Sequence, residues 1–223
     1  MKVTRILRAD VPAELAAICK MAGYIRADIW RRYGALRNVG LSTADIRMEI
    51  VKKKIYENLP IDGTIRSETT KDIVNDILMC KAAAKQKVRK AIAERTNDEV
   101  ERKRLYTLLK TDKWLTEPFL HRQMRTHFRH GKSNVANQFI VRSDKHSTQV
   151  VDGKLVITVK VAKKYGNPMV LTTTTSGKNV NLSGCNLRVI VKDGFTEIHY
   201  ATEKGAGRAC GTQMLGIDKG YTE

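Results

Sequence analysis

The spacing of apolar residues changes once along this chain, near residue 130, and no other property limits the fold as strongly. Ahead of that point the period is helical. AELAAICKMAGYIRADIWRRYGALR repeats apolar side chains at intervals of three and four, through Leu15, Ile18, Cys19, Ala22, Ile25, Ile29, Trp30 and Tyr33. Such a stripe is one face of an amphipathic helix. STADIRMEIVKKKIYENL opens on Ser42 or Thr43 as a cap and is expected to run to Pro60. SETTKDIVNDILMCKAAAKQKVRKAIAERT predicts a long helix from about Ser67, and NDEVERKRLYTLLK and EPFLHRQMRTHFRH predict two more. Beyond Gly131 the pattern turns to Val, Ile and Thr in short alternating runs: QFIVRS, TQVVDGKLVITVKV, NPMVLTTTTS, LRVIVKDGFTEIHYATE and CGTQMLGID. Asp152-Gly153 and Asp193-Gly194 sit between β-prone runs, the strongest short-range hairpin signal.

The opening VTRILRA, residues 3–9, also alternates as a strand, and Pro12 suits the first turn of the helix that follows. A strand ahead of the helices and more strands after them predict an α+β chain in which a helical block is inserted into a small antiparallel β-barrel. The expected boundaries are 1–10 with 131–210 for the β-domain, 11–130 for the helices, and 211–223 for the start of something further.

Charge narrows the partner. Lys and Arg number 41 against 23 Asp and Glu, a net charge of +18. Self-repulsion of that size is relieved by a polyanion, so nucleic acid is the expected partner. The start MKVTRILRADVPAEL lacks the apolar core of a signal peptide, and there is no run of eighteen apolar residues. A soluble cytoplasmic protein without a membrane partner is expected. Cys19, Cys80, Cys185 and Cys210 are scattered without a C-x-x-C pair, which argues against a zinc ribbon and a disulfide framework. Low aromatic content, 6%, disfavours recognition by base stacking alone.

The cations fall into groups. Arg26, Arg31, Arg32 and Arg37 cluster on the first long helix, and Lys81, Lys85, Lys87, Arg89 and Lys90 on the third. Arg122, Arg125, Arg129 and Lys132 lie at the helix-to-strand junction. Residues 122, 125 and 129 are three and four apart, so one helical face presents three guanidinium groups that can track phosphates. Lys163 and Lys164 sit in a basic turn between strands. For any one of these residues, a solvated surface charge is an equally good reading. His121, His127 and His130 do not have HExxH spacing and read as helix-surface histidines. GAGRACG has no following Lys-Ser/Thr or helix and reads as a connector.

The last segment, Met214-Leu215-Gly216-Ile217-Asp218-Lys219-Gly220, reads as a buried strand ending in an acid and a glycine turn. LGIDKGYTE resembles the first catalytic motif of the RuvC (ribonuclease-H-like) domain in TnpB-type transposon nucleases and compact type V CRISPR effectors. The order of elements is similar to theirs as well: a short strand, a helical recognition lobe, a wedge-like β-barrel, then the GIDKG strand. AAICKMAGYIRADIWRRYG looks like that family's first recognition helix, and HFRHGKSNVANQFIVRS like its re-entry to the barrel. The resemblance implies an RNA-guided DNA endonuclease whose recognition lobe and wedge barrel hold guide RNA, the guide RNA–target DNA heteroduplex and the motif flanking the target. It implies that Asp218 is a catalytic ligand of Mg²⁺ in the complete protein. The family's second-motif Glu, third-motif Asp and zinc ribbon have no counterpart here, so the resemblance carries catalysis no further than Asp218. The rival expectation is a non-catalytic RNA-guided DNA binder or a stand-alone basic RNA-binding protein. A transposase-type recombinase, which would need the same carboxylates, is the third.

Overall fold

A computed structural model describes residues 2–38, 41–128, 135–161, 167–176 and 180–203. The chain opens with β1 (Lys2–Ala9). It then forms α1 (Leu15–Tyr33), α2 (Thr43–Lys52), α3 (Gly63–Arg95), α4 (Glu99–Lys110) and α5 (Pro118–His127). It returns to strands as β2 (Gln138–Val141), β3 (His146–Val151), β4 (Lys154–Val159), β5 (Met169–Ser176), β6 (Leu187–Lys192) and β7 (Phe195–Glu203).

Local chemistry accounts for the ends of the helices. Ser42 caps α2 in a reciprocal capping box, its hydroxyl accepting from the Asp45 N–H at 3.1 Å while Asp45 accepts from the Ser42 N–H at 2.9 Å. α2 stops at Lys52 rather than Pro60, because Lys54 turns into the left-handed region at φ 52°. α3 begins four residues ahead of Ser67. Asp62 supplies the cap, accepting from the Thr64 N–H at 2.7 Å, and its own N–H donates to the Val161 carbonyl at 2.8 Å. The start of the longest helix is thereby tied to the end of β4. Asp98 and Glu117 cap α4 and α5 in the same manner.

The seven strands form one antiparallel sheet in the order β2-β6-β7-β1-β5-β4-β3. β1 stands in the middle. It pairs along its length with β7 and meets β5 at its last residue, Ala9 opposite Thr173. Asp10 clamps that corner: its N–H donates to the Thr172 carbonyl at 3.1 Å, its carboxylate accepts from the Thr172 N–H at 2.8 Å, and its carbonyl accepts from the Thr196 hydroxyl at 2.7 Å. The helices are inserted between this central strand and β2, as the sequence predicts. Both Asp-Gly turns form, with Gly153 at φ 76° and Gly194 at φ 81°.

The expected closed barrel is corrected to an open one. Seven antiparallel strands leave β2 and β3, the two edges, running in the same direction. Closure would need a parallel ladder, which takes a crossover of about a dozen residues; only Arg142–Lys145 separate the two strands. The sheet is nevertheless strongly rolled. Laid flat it would measure about 29 Å between edges at roughly 4.8 Å per strand, whereas five trans peptide units from Val141 to His146 span at most about 19 Å. The His146 ring nitrogen meets the Cys185 carbonyl at 2.9 Å, and Asn186 accepts from the Ser143 N–H at 3.0 Å, so the start of β3 is tied to the turn entering β6. The inner faces meet in one core: Phe139, Val189, Ile198 and Leu7 from one half with Leu155, Ile157, Val159 and Leu171 from the other.

That core continues into α1 and the first half of α3. A second cluster, Ala84, Val88, Ile92, Leu105, Leu109, Trp114, Phe119, Leu120, Met124 and Phe128, joins the far half of α3 to α4 and α5. α3, 33 residues and about 50 Å long at 1.5 Å per residue, belongs to both.

Candidate nucleic-acid interface

The cations singled out by spacing separate according to what lies beside them. Arg26 is not a surface residue: it is 2% exposed and ion-paired with Asp72. Asp72 also accepts two hydrogen bonds from Arg188, at 2.6 and 3.1 Å. One carboxylate on α3 therefore joins α1 to β6, fastening helices to sheet. Burial pushes the Asp72 carboxyl up, and the hydrogen bonds and charges of Arg188 and Arg26 outweigh it, leaving it below the usual carboxylate range. Removing one member of such a buried pair costs about 3–5 kcal/mol, so Arg26 is committed to the fold and offers no phosphate contact in this arrangement.

Arg31 and Arg32 close α1 and share Asp28. Asp28 is 3% exposed and also accepts from the Tyr56 hydroxyl at 2.9 Å. Its burial is outweighed by these hydrogen bonds, which hold its carboxyl below the ordinary value. Their side chains remain exposed, 75% for Arg31 and 45% for Arg32, so they can reach a partner while they neutralise Asp28. Lys85 is half-buried and pairs with Asp112 at 2.6 Å.

Arg122 and Arg125 stand differently. Both are exposed on α5, one turn apart, and line a shallow groove of about 540 Å³ with Pro118, His121 and Thr126. Pro118 at the first turn and the Glu117 cap, which accepts from the Leu120 N–H at 2.6 Å, set the start of the helix. Phe119, Leu120 and Met124 anchor its opposite face. His121 lies stacked against Trp114, ring centroids 6.3 Å apart. Neither arginine has an ion-pair partner among the described residues. Arg129, Lys132, Lys163, Lys164 and Asp218 lie outside the described residues.

Further cations surround the same end of the molecule; the sequence singles out Lys87 and Lys90 of α3, but not Lys103, Lys110 and Lys113. The ion pairs described here are Lys85–Asp112 and Arg104–Glu101. Lys87, Lys90, Lys103, Lys110 and Lys113 are exposed without a carboxylate within ion-pair distance among the described residues. Lys103 and Lys110 edge a groove of about 560 Å³ between α3 and α4, where the Arg89 guanidinium lies 5.3 Å from the centre of the Tyr106 ring. The signal available in the sequence was the shortage of acids from residue 81 to 128, not any single position.

Among the described residues there is no group of three His, Cys, Asp or Glu side chains placed to hold a metal ion. A two-metal centre needs several carboxylates, and the one that the sequence motif supplies, Asp218, is outside the described residues. The donors among the described residues do not by themselves fit a magnesium site. Cys19, Cys80 and Cys185 are free thiols; Cys19 is buried and burial pushes its thiol up to about 12. No helix among the described residues is long and apolar enough to cross a membrane.

Fold and surface together define an α+β chain with a helical insertion in an open antiparallel sheet and a basic helical tip. Comparison with protein families and with curated proteins finds no match for it.

Proposed function

We propose that this chain is the guide-RNA and target-DNA binding portion of an RNA-guided DNA endonuclease, holding RNA and an RNA–DNA heteroduplex through their sugar–phosphate backbones. The observation that carries the reading is the pair Arg122 and Arg125: exposed, one helical turn apart, unpaired among the described residues, and seated in a groove at the basic tip. Backbone phosphates recur every several ångströms, and guanidinium groups hold them by charge-assisted, often bidentate bonds. Such contacts position a duplex without reading its sequence, which in guided recognition falls to base pairing. Arg31, Arg32 and the unpaired lysines of α3 and α4 extend the basic surface.

The resemblance of LGIDKGYTE to a RuvC motif supports the endonuclease part, with Asp218 as Mg²⁺ ligand in a complete site; the charge and geometry support nucleic-acid binding whether or not that site exists. The double substitution Arg122→Glu/Arg125→Glu tests the interface. Binding of an RNA–DNA hybrid, measured across a salt series, should weaken and lose about 1.4–1.8 from the slope of log affinity against log salt, about 0.7–0.9 for each of the two phosphate contacts removed. An unchanged slope rejects the role of α5. Sequencing the RNA that co-purifies with the chain separates the readings: one discrete species with a constant end supports a guide, and bulk cellular RNA supports the stand-alone binder.

A further inference from the structure

A cleft of about 170 Å³ lies where the last turns of α2 and the turn after it meet the first turns of α3. Three cations from three places line it: Arg47 of α2, Lys54 of the turn, and Arg66 of α3. None of them forms an ion pair with a described residue, and Glu57 is the single carboxylate among the lining residues described. The Arg66 side chain is fixed by donating to the Tyr56 carbonyl at 2.7 Å, and its Nε–H is buried without a partner among the described residues. Arg47 donates to the Ser67 hydroxyl at 3.2 Å. An arginine has five N–H donors, so both guanidinium groups keep donors to spare. The turn carries a second anomaly. Lys54 holds φ 52°, a conformation that glycine and asparagine adopt far more readily than lysine. Turn chemistry alone gives no reason for a lysine there, whereas a requirement for positive charge in the cleft does.

We infer that this cleft is a phosphate site, in which Arg47, Lys54 and Arg66 close around one phosphate dianion. The volume decides the size of the ligand. At about 30 Å³ per water it holds roughly six waters, well under the roughly 300 Å³ at which ordinary small-molecule pockets begin. A phosphate group fits inside it, and the rest of any larger ligand would have to lie outside the cleft. The same chemistry can arrive as inorganic phosphate or as the terminal phosphate of a polynucleotide. The second source rests on the function proposed above; the first does not.

The test uses the full chain and inorganic phosphate, titrated at ionic strength held constant with sodium chloride, with the thermal unfolding midpoint as readout. The midpoint should rise with phosphate. Lys54→Asn, which suits the left-handed backbone and removes the charge, should weaken the apparent phosphate affinity about tenfold or more, while Lys54→Arg retains it. Absence of any phosphate response, or an equal response in wild type and Lys54→Asn, overturns the site. A second arm compares one oligoribonucleotide with a 5′-phosphate and with a 5′-hydroxyl. A preference of about tenfold for the phosphorylated end that disappears in Lys54→Asn identifies a polynucleotide terminus as the source, and no preference alongside a phosphate response identifies the free ion. In Arg122→Glu/Arg125→Glu the response to inorganic phosphate should persist even where oligonucleotide affinity falls, so failure of the interface and failure of this site are distinguishable.

Discussion

Asp28 and Asp72 are half of an electrostatic frame that consumes a good part of the positive charge on α1. Each carboxylate is largely withdrawn from water and faces two arginines. The folded state holds the Asp28 carboxyl below its unfolded value of about 3.9. The stability that results is fully present above that unfolded value and is lost as pH falls through the lowered one. The unfolding midpoint should therefore drop as pH falls below about 4, partly on account of Asp28. Asp28→Asn should be less stable than wild type at pH 7, and the gap should narrow on acidification. A gap that stays constant from pH 7 to pH 3 would show that folding does not shift the titration of Asp28.

At the scale of elements, the join between α1 and the chain entering β2 depends on a missing side chain. A Cβ on Gly23 would stand 2.6 Å from the Cβ and 2.7 Å from the Cα of Ala136. Inside an exposed helix, Gly→Ala gains up to about 1 kcal/mol from propensity. Here the added methyl meets backbone that must move, and overpacking of this kind costs about 1–3 kcal/mol, so the clash wins. Gly23→Ala is expected to lower the unfolding midpoint, and a raised midpoint would mean that 135–136 yields freely. β4 shows a milder accommodation. The register shifts between Lys154 and Val156, and the Leu155 N–H left off the ladder donates instead to the buried Thr173 hydroxyl at 3.0 Å. A run of four threonines in β5 is thus partly a set of internal hydrogen-bonding groups.

The whole molecule has two apolar clusters strung on one helix, and they are unequal. The larger spans the sheet, α1 and the first half of α3, and the smaller is confined to the tip. Leu105 is fully buried in the smaller one. Leu105→Ala should cost about 2–5 kcal/mol, felt locally: amides of α4 and α5 should exchange faster with solvent while those of β6 and β7 keep their protection. Equal loss of protection in both regions would mean that the two clusters unfold as one.

Much of this architecture could be read from the sequence. The change of period near residue 130, the two Asp-Gly hairpins and the strand ahead of the helices fix a helical insertion in an antiparallel sheet, because each is a matter of neighbours a few residues apart. The excess of Lys and Arg makes a polyanionic partner the expectation on which the proposed function builds. Two things were decided only by tertiary contacts. Parity of seven antiparallel strands, together with a short β2–β3 connection, leaves the sheet open, and no local pattern encodes strand order. Arg26 and Arg125 look alike as letters on a helix, yet one meets a carboxylate 46 residues away and the other meets solvent. Whether a charge belongs to the fold or to a partner depends on what the folded chain places beside it, and that is set by packing over distances along the chain that helical spacing does not reach.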